Sequence, residues 1–470
     1  MNIRIVSTLM CAALVLLCGC SGKKAASSTQ PAADSALDAR LEQKYGKPYA
    51  ALPEVKLVAI SPNNTDIENE YESAFSRYYA LAYGKRVTIQ WRDVGGGTSS
   101  IVQYLRNVYE NSDRSGIDVV WGGGDYVFGQ MAKEGILQPL TIPQDALDNI
   151  PAKFGGLSMY DSDKRWVGTA LSGFGFLYNK QLLQTLKLPD PTKWEDLGSP
   201  KFFGLVGLAD PTQSGSAAAS YEMIVQSAPN WPEGWARLLS VLGNAKKFYA
   251  GAGDAAQAVP SGEVAVATCI DFYGTNRMVK YPGILVYVSP RGETAFNPDP
   301  VGILKNPPDP ELAQRFVNFL LSVHGQALWA LPVGAPDGPR HTPLGRQPIR
   351  KDVYQKYGAS FGSSIVDPYA EGQTMELNKA LWSDSYGLLR NLVWAAAVRN
   401  LDQLKAAKKK LIDTNFDPKR LALFNALPEN VADEEAIRKT YAQMQNAVDR
   451  DRIVTDWVTY FRHKYERVAR

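Results

Sequence analysis

Along residues 55–121, strand-like runs of apolar residues alternate with stretches in which apolar residues recur at helical spacing. Strand-like runs occupy Val55–Ile60, Arg86–Trp91 and Ile117–Trp121. Between the first two runs, apolar side chains recur at helical spacing up to Gly84, where a glycine is typical of a helix end. A second stretch of helical spacing lies between the second and third runs. Strands that alternate with helices predict a parallel sheet covered by helices.

A second α/β unit follows the first. Strand-like runs recur at Phe174–Asn179, Phe203–Ala209, Val264–Cys269 and Val301–Leu304. Beyond residue 350 glycine becomes rare and apolar residues follow helical spacing instead. Because amphipathic stripes are usually buried, we expect residues 350–470 to form an α-helical extension packed on one lobe.

Small polar residues follow each of the first three predicted strands. The candidates at these strand ends are Ser61, Asn63, Thr98, Ser99, Gly123 and Asp125. In a parallel sheet the carboxyl ends of the strands lie at one edge, where ligands bind. Glycine lets the backbone approach a ligand closely and present N–H groups at helix starts. We therefore expect these residues to line a cleft.

The second unit contributes candidates of its own. They are Ser172, Ser214, Gly215, Ser216, Asp271 and Tyr273. Ser214 and Ser216 open a predicted helix, where unpaired N–H groups, hydroxyls and the positive end of the helix dipole suit a phosphate, phosphonate or carboxylate. Because Asp271 and Asp125 would repel a bare anion, a solute with an acidic group and a cationic or ring portion fits both signs.

The first twenty residues have the pattern of an export signal. Arg4 precedes an apolar run that ends in Leu17-Cys18-Gly19-Cys20 and is too short to span a membrane comfortably. This pattern resembles the bacterial lipoprotein signal. We predict a signal peptide at residues 1–19, lipidation of Cys20 and a flexible tether at residues 20–40, with an outer-membrane destination slightly favoured.

Composition excludes several classes of function. The 51 basic and 48 acidic side chains give a net charge of +3, so we expect no nucleic-acid partner. Only Cys269 remains as an internal thiol after the predicted cleavage, which excludes an intrachain disulfide and a cysteine metal cluster. The sequence contains no hydrolase, metalloprotease or phosphate-loop motif, and we predict neither an enzyme nor a cofactor.

Four segments, in order along the chain, resemble a known family. They are WVGTALSGFGFLYNKQLL, WEDLGSPKFFGLVGLADPTQSGSAAASYEMI, AVPSGEVAVATCIDFYG and NPDPVGILKNPPDPELAQRFVNFLLSVHGQALW. They are similar to the solute-binding proteins of bacterial ABC importers, in the branch with iron(III)-, thiamine- and phosphonate-binding members. With the first strands, the resemblance covers about residues 55–335.

The resemblance implies an α/β fold, the two-lobe clamshell of type II periplasmic binding proteins, here followed by the helical extension. Lobe 1 would comprise residues 51–172 and 300–349, lobe 2 residues 173–299, and the extension residues 350–470. The chain would cross between the lobes near Thr169–Gly173 and Val288–Asp299. The resemblance also implies a periplasmic monomer, anchored to a membrane, that closes on one solute and delivers it to an ABC permease in the inner membrane.

The identity of the solute is open between two chemistries. Iron-binding members carry two adjacent tyrosines where this sequence has Phe272 and Tyr273, so we expect no metal, with Tyr273 and Asp271 as ligands only if iron binds. The favoured hypothesis is a phosphonate, a phosphorylated organic molecule or a thiamine-like solute. The alternatives are a ferric-iron carrier and, in another class, a structural envelope lipoprotein whose helical tail binds a protein partner.

Overall fold

The computed structural model describes residues 29–95, 97–362 and 365–470. The strands in this part of the chain are β1 (Glu54–Ile60), β2 (Arg86–Arg92), β3 (Val119–Trp121), β4 (Leu137–Gln138), β5 (Lys153–Phe154), β6 (Leu157–Ser158), β7 (Val167–Ser172), β8 (Phe174–Asn179), β9 (Val206–Ala209), β10 (Ala245–Tyr249), β11 (Val266–Ile270), β12 (Leu285–Val288), β13 (Asn297–Leu304) and β14 (Gln347–Pro348).

Helices alternate with these strands and then replace them towards the C-terminus. They are α1 (Thr29–Tyr45), α2 (Thr65–Tyr83), α3 (Thr98–Asn111), α4 (Asp125–Lys133), α5 (Gln144–Leu147), α6 (Lys180–Thr185), α7 (Trp194–Leu197), α8 (Gly215–Gln226), α9 (Trp231–Gly243), α10 (Ala252–Gln257), α11 (Asp271–Lys280), α12 (Pro310–Leu321), α13 (Val323–Ala327), α14 (Lys351–Tyr357), α15 (Lys379–Val393), α16 (Leu401–Asp413), α17 (Pro418–Asn425), α18 (Glu434–Gln443) and α19 (Ala447–Ala469).

The first sheet, which defines lobe 1, combines strands that are far apart in sequence. Its order is β14-β7-β13-β3-β1-β2, with β4 paired to β13. β1 runs parallel to β2 and β3, whereas β13 is antiparallel to β3 and β7. The parallel arrangement predicted for the first three strands is confirmed, and it places the residues that follow them at one edge.

The second sheet, which defines lobe 2, has the order β10-β9-β11-β8-β12. β9 lies parallel to both β10 and β11, and β8 is antiparallel to β11 and β12. All six residues of β8 are buried, as an uninterrupted apolar run predicts. The residues that follow β9, β10 and β11 therefore share one edge as well.

Two crossings join the lobes within residues 97–349. β7 ends at Ser172 and β8 begins two residues later, so Gly173 alone lies between them. A Cβ on Gly173 would stand 2.9 Å from the Phe296 ring, which explains the glycine at this position. The chain returns to lobe 1 between Val288 and Asn297, and Asn297 pairs with Ser172. Lobe 1 thus resumes at residue 297 rather than at the expected residue 300, since β13 begins there.

The extension is a bundle of helices docked on lobe 2. Residues 351–362 and 365–378 first follow lobe 1. α15 then packs against α8, α16, α17 and α19 contact α9, and α18 packs on α15. The rings of Trp235 and Phe461 lie 5.7 Å apart, and the Trp231 Nε1 donates to the Val431 carbonyl at 2.8 Å. The expected C-terminal helical region is confirmed, and its bundle begins at Lys379.

The N-terminal helix α1 corrects the expected tether. Residues 29–40 were expected to be flexible, yet they are helical and continue to Tyr45. Leu37 and Leu41, one helical turn apart, are buried in a cluster with Leu52 and Ala80 of α2. The prediction failed there because the two leucines provide an apolar face that packs on lobe 1.

The remaining N-terminal predictions concern residues that the structure does not describe. The predicted signal peptide at residues 1–19, the lipidated Cys20 and the start of the tether up to residue 28 lie outside the described residues. Within residues 29–95, 97–362 and 365–470, no helix combines the length and the apolar character needed to cross a bilayer.

Candidate functional site

A cavity of about 280 Å³ lies between the two lobes. Lobe 1 contributes residues that follow β1, β2 and β3, and lobe 2 contributes residues that follow β9, β10 and β11. The sequence-predicted residues that line it are Asn63, Thr98, Ser99, Gly123, Ser172, Ser214, Gly215, Ser216 and Tyr273. The structure therefore brings most of the predicted candidates together in one cleft.

Helix N-termini from both lobes point their first turns at this cavity. α3 begins at Thr98 in lobe 1 and α8 begins at Gly215 in lobe 2, and both starts line the wall. The first N–H groups of a helix have no acceptor within the helix, and the dipole makes this end positive. At α8 the Ser214 Oγ accepts from the Ala217 N–H at 3.3 Å, which leaves the other early N–H groups for a ligand.

The glycines after β3 let the lobe 1 loops meet. Gly122, Gly123 and Gly124 have φ angles of 98°, 124° and 87°, a region that other residues rarely adopt. A Cβ on Gly123 would lie 2.6 Å from the Thr98 side chain. The Gly123 N–H donates to the Asp299 Oδ1 at 2.6 Å. This loop is therefore packed against α3 and β13 at the cavity floor.

Arg346 is the cationic side chain of the cavity wall. It was not predicted as a site residue from the sequence. Its side chain lines the cavity although the residue is only 1% exposed. Its Nη2 donates to the Ser172 Oγ at 2.6 Å, and its Nη1 lies 2.7 Å from the Asp299 Oδ2. The guanidinium carbon lies 4.9 Å from the centre of the Phe272 ring, close enough for a cation–π contact.

The guanidinium of Arg346 retains unused hydrogen-bonding capacity. Its Nε is buried and has no partner among the described residues. The Asn63 Oδ1 accepts from Nη1 at a long 3.3 Å. Arginine remains protonated in proteins, so this buried cation cannot relieve its desolvation by losing a proton. Asp299 therefore uses only part of the hydrogen-bonding capacity of the guanidinium.

Asp271 corrects a prediction, because its carboxylate is used by the backbone. It was expected to contact the ligand, but it does not line the cavity. Its Oδ2 accepts from the Gly173 N–H at 2.8 Å and its Oδ1 from the Phe272 N–H at 2.7 Å. Burial raises the pKa of Asp271 to about 6 despite these bonds. Asp271 fixes the crossing between the lobes.

Ser61 and Asp125 are also outside the cavity wall. The Ser61 Oγ donates to the Trp121 carbonyl at 2.8 Å and accepts from the Asn63 N–H, so it holds the turn after β1. Asp125 opens α4, where its backbone N–H donates to the Asn297 Oδ1 at 3.4 Å. Burial raises the pKa of the Asp125 carboxyl to about 6. Both side chains were expected to contact the ligand, and both instead shape the loops around it.

The tyrosine position does not have the features of a ferric site. Tyr273 lines the cavity with its ring 4.3 Å from that of Phe272, and burial raises its pKa, which disfavours the phenolate. Across the part of the chain that the structure describes, no three or more His, Cys, Asp or Glu side chains are grouped so that they could hold a metal ion. The cavity wall contains three phenols, those of Tyr126, Tyr273 and Tyr386, and burial raises the pKa of each, which disfavours the phenolate form that a ferric ion binds.

Several wall residues were missed by the sequence. They are Tyr126, Gln213, Asn297, Asp299, Arg346 and Tyr386. Asn297 and Asp299 lie in β13, where two prolines obscure the strand pattern. Tyr386 belongs to the extension, which was expected to pack on one lobe and not to reach the cleft. Its apolar position in α15 gave no signal that it reaches the cleft.

A larger cavity of about 700 Å³ lies on the outer face of lobe 1, between α1, α2 and the loop at residues 334–340. It has a mixed lining that includes Arg40, Tyr78 and His324. No residue of lobe 2 lines it, so closure of the lobes does not change it. The interlobe cleft is therefore the better candidate site despite its smaller volume.

Comparison with known proteins agrees with this geometry. Residues 116–343 match the family of bacterial extracellular solute-binding proteins. The phosphoglycerate transport regulatory protein PgtC of Salmonella typhimurium is 31% identical over 184 residues, which cover 39% of this chain and 45% of that protein. A Salmonella typhimurium protein named as a 2-aminoethylphosphonate-binding periplasmic protein is 24% identical over 257 residues, covering 50% of this chain and 75% of its own.

Solved structures agree in fold. The periplasmic binding protein AfuA of Actinobacillus pleuropneumoniae, with fructose-6-phosphate bound, aligns with a TM-score of 0.57 at 19% identity. The apo ferric ion-binding protein A of Pasteurella haemolytica aligns with a TM-score of 0.55 at 16% identity. The alignments cover 98% of each of these structures but only 73% and 74% of this chain.

These matches agree with the fold and with the resemblance that the sequence indicated. The two lobes have the fold of type II periplasmic binding proteins, as the sequence predicted. The resemblance to bacterial solute-binding proteins that the sequence indicated is confirmed by the match over residues 116–343, which is just under half of the chain. The chain spans about half the length of the phosphoglycerate transport relative that it matches.

Proposed function

We propose that this protein is the solute-binding component of an ABC importer and captures a small phosphate- or phosphonate-bearing solute by closing its two lobes. The observation that carries the proposal is the buried Arg346 guanidinium in a cleft lined by helix N-termini from both lobes. A permanent cation and free N–H groups are the features that bind such anions in proteins. Binding between the lobes favours the closed form.

The negative charge of Asp299 beside Arg346 narrows the chemical class of the solute. Asp299 lies against Arg346 and accepts a bond from Gly123, so a fully anionic solute meets one carboxylate beside the cation. A solute with an amine as well as a phosphonate satisfies both groups. The likeness to relatives named for 2-aminoethylphosphonate binding and phosphoglycerate transport supports this chemical class.

The size of the cleft favours the smaller candidates. Its volume of about 280 Å³ is just below the roughly 300–1,000 Å³ of sites that hold drug-sized ligands. A small phosphonate or phosphoglycerate suits that volume better than a thiamine-like solute. The ferric alternative has only a likeness of fold in its favour, because the residue adjacent to Tyr273 is Phe272 and burial disfavours the phenolate of Tyr273.

The remaining expectations form part of the same proposal. We infer an exported, non-enzymatic monomer, anchored through Cys20 on the periplasmic side and delivering its solute to an inner-membrane permease. Such a role needs no catalytic group, and the match to an extracellular family agrees with export. A structural lipoprotein, the alternative from another class, does not require a polar interlobe cleft.

Thermal unfolding and calorimetry test this function. We expect 2-aminoethylphosphonate or 3-phosphoglycerate to raise the melting temperature, since a solute at a hundred times its Kd adds about 2.7 kcal/mol to the free energy of unfolding. Failure of these compounds and of inorganic phosphate to bind would exclude the proposed substrate class. A visible phenolate-to-iron band with ferric citrate, lost in Tyr273→Phe, would support the iron alternative instead.

Variants of the charged pair sharpen the test. Arg346→Lys should weaken binding about tenfold to a hundredfold, because a hydrogen bond to a charged group contributes about 1.5–3 kcal/mol. Asp299→Asn should strengthen the binding of inorganic phosphate and weaken that of 2-aminoethylphosphonate. The matched control is Arg340→Lys, which pairs with Asp34 on the outer face of lobe 1 and should leave affinity unchanged.

A further inference from the structure

The extension reaches across the mouth of the cleft from lobe 2 to lobe 1. In α15, the Tyr386 hydroxyl donates to the Gly215 carbonyl at 2.9 Å, at the start of α8. The Tyr386 ring lies 4.9 Å from the ring of Tyr126, which belongs to α4 of lobe 1. The Tyr126 and Tyr441 hydroxyls are hydrogen-bonded at 2.8 Å. Three tyrosines thus form a continuous contact between the lobes.

Arg390 makes a second contact at the same mouth. Its Nε donates to the Pro211 carbonyl at 2.7 Å and its Nη2 to the Thr212 carbonyl at 3.0 Å, both in the lobe 2 loop after β9. Its Nη2 also lies 3.5 Å from the Ser99 Oγ of lobe 1. Arg390 is therefore held mainly by lobe 2 and touches the first turn of α3.

Close packing at Gly387 makes room for this arrangement. A Cβ there would lie 3.1 Å from the Tyr126 hydroxyl and 3.1 Å from the Tyr441 ring. These contacts are tighter than a side chain normally allows, so glycine lets α4 and α18 meet over α15. Gly387 therefore allows the extension to contact α4 of lobe 1 closely.

The bundle that begins at Lys379 is firmly attached to lobe 2, so it moves with that lobe. The Ser385 Oγ donates to the buried Glu222 carboxylate of α8, and Trp231 and Trp235 of α9 contact the bundle from the other side. The bundle meets lobe 1 at Tyr126, at the Ser99 hydroxyl and through a hydrogen bond of 2.7 Å from the Lys379 Nζ to the Ser158 Oγ. Opening of the lobes must therefore break the Tyr126 contacts rather than detach the bundle.

We propose that the extension is an interlobe clasp: Tyr386, Arg390 and Tyr441 hold lobe 1 through Tyr126 and Ser99, keep the lobes closed without solute, and form the outer wall of the cleft. The proposal rests on the proposed function only in taking this cleft as the solute site. These contacts do not involve the solute, and contacts between the lobes that form only on closure shift the open–closed equilibrium towards the closed form. Tyr386 also limits the length of the solute, because it lines the cavity.

Distances between spin labels in the solute-free chain test the clasp. Labels at Gln103→Cys on α3 and Val279→Cys on α11 report on lobes 1 and 2, since both positions are exposed. Cys11, Cys18 and Cys20 are replaced by Ser, and Cys269 is retained because it is buried. We expect one short distance in this parent. Tyr441→Phe should increase the population at a longer distance about twofold to tenfold, the range expected for one lost hydrogen bond.

The matched control is Tyr460→Phe, which removes a hydroxyl bonded at 3.0 Å to the Leu427 carbonyl inside the extension. It should leave the distance unchanged. A long distance already dominant in the parent, or identical distributions in the parent and Tyr441→Phe, would overturn the clasp. Arg390→Ala gives an independent second variant that leaves the tyrosines in place and should also open the lobes.

Addition of 2-aminoethylphosphonate separates the two proposals. If the variants open without solute but the compound neither closes them nor binds, the clasp stands and the proposed substrate class fails. If the compound binds and the variants never open, the solute-binding function stands and the clasp fails.

Discussion

The cleft and the core of the extension both bury polar side chains, but they use them differently. In the extension, the Lys464 Nζ donates to the Phe424 and Ala426 carbonyls at 2.7 and 2.9 Å, at the end of α17. In the cleft, Arg346 keeps an Nε that no described residue engages. Buried polarity alone therefore does not mark a site, whereas unused hydrogen-bonding capacity beside a cavity does.

The chemistry of the two cations explains the difference. Burial lowers the pKa of Lys464 well below its usual value, so this amine can lose its proton rather than remain a buried charge. An arginine stays protonated when it is buried, so the charge of Arg346 is balanced by Asp299 beside it. A lysine suits the inside of a helix bundle, and an arginine suits a cleft that must attract anions.

The largest expected effect concerns the apolar core that joins the extension to lobe 2. Phe461 is fully buried against Trp235, so Phe461→Ala should lower the free energy of unfolding by about 3–5 kcal/mol. Urea denaturation measures this loss. Val448→Ala on the same helix, where the side chain is 77% exposed, should change stability little. Equal small losses in both variants would mean that the bundle does not depend on this contact.

A smaller effect is expected from a carboxyl buried between α8 and α15. Burial raises the pKa of Glu222 from 4.5 to about 7, and its Oε2 has no partner among the described residues. The folded protein therefore binds the proton more tightly than the unfolded chain does. This contribution to stability is lost as pH rises from about 4.5 to 7, and above that range the ionised group destabilises the fold.

Glu222→Gln tests this because glutamine imitates the protonated form. The variant should be more stable than the parent by up to about 3 kcal/mol at pH 8, with no difference near pH 4. Melting temperatures across this range measure it. Glu110→Gln, at an exposed position on α3, supplies the control. A gain that is the same at pH 4 and pH 8 would show that removing this charge is not the cause.

The alternation of strands and helices could be predicted because it is a local property of the sequence. The runs that became β1, β2 and β8 have the correct positions within a residue or two. β13 was predicted to begin at Val301 but begins at Asn297, since Pro298 and Pro300 usually indicate a strand edge or loop. A register shift between Asp299 and Pro300 accommodates them in the middle of the sheet.

The candidate site could be predicted only where a strand end also gave a local signal. Ser214 and Thr98 stand at helix starts that the sequence displays, and both line the cleft. Arg346 follows a stretch rich in glycine and proline and is brought to the cleft by β14, which has only two residues. Asp271 was predicted to contact the ligand because the sequence does not show that its carboxylate accepts hydrogen bonds from the Gly173 and Phe272 N–H groups.

The smallest predicted effect compares two serines at opposite ends of α8. Ser214 lines the cleft, and its Oγ caps the helix through the Ala217 N–H. Ser227 lies at the far end, where its Oγ accepts from Arg237 at 2.7 Å and donates to the Ile224 carbonyl. Both hydroxyls are hydrogen-bonded, but only the first belongs to the cavity wall.

Calorimetry with 2-aminoethylphosphonate should distinguish these two serines. Ser214→Ala should weaken binding about tenfold, or about 1.4 kcal/mol, the low end for a bond to a charged group because the neighbouring N–H groups remain. It should also lower stability by about 1 kcal/mol through the lost cap. Ser227→Ala should cost stability alone. If both variants bind as tightly as the parent, the start of α8 does not contact the solute and the anion site must be confined to Arg346 and lobe 1.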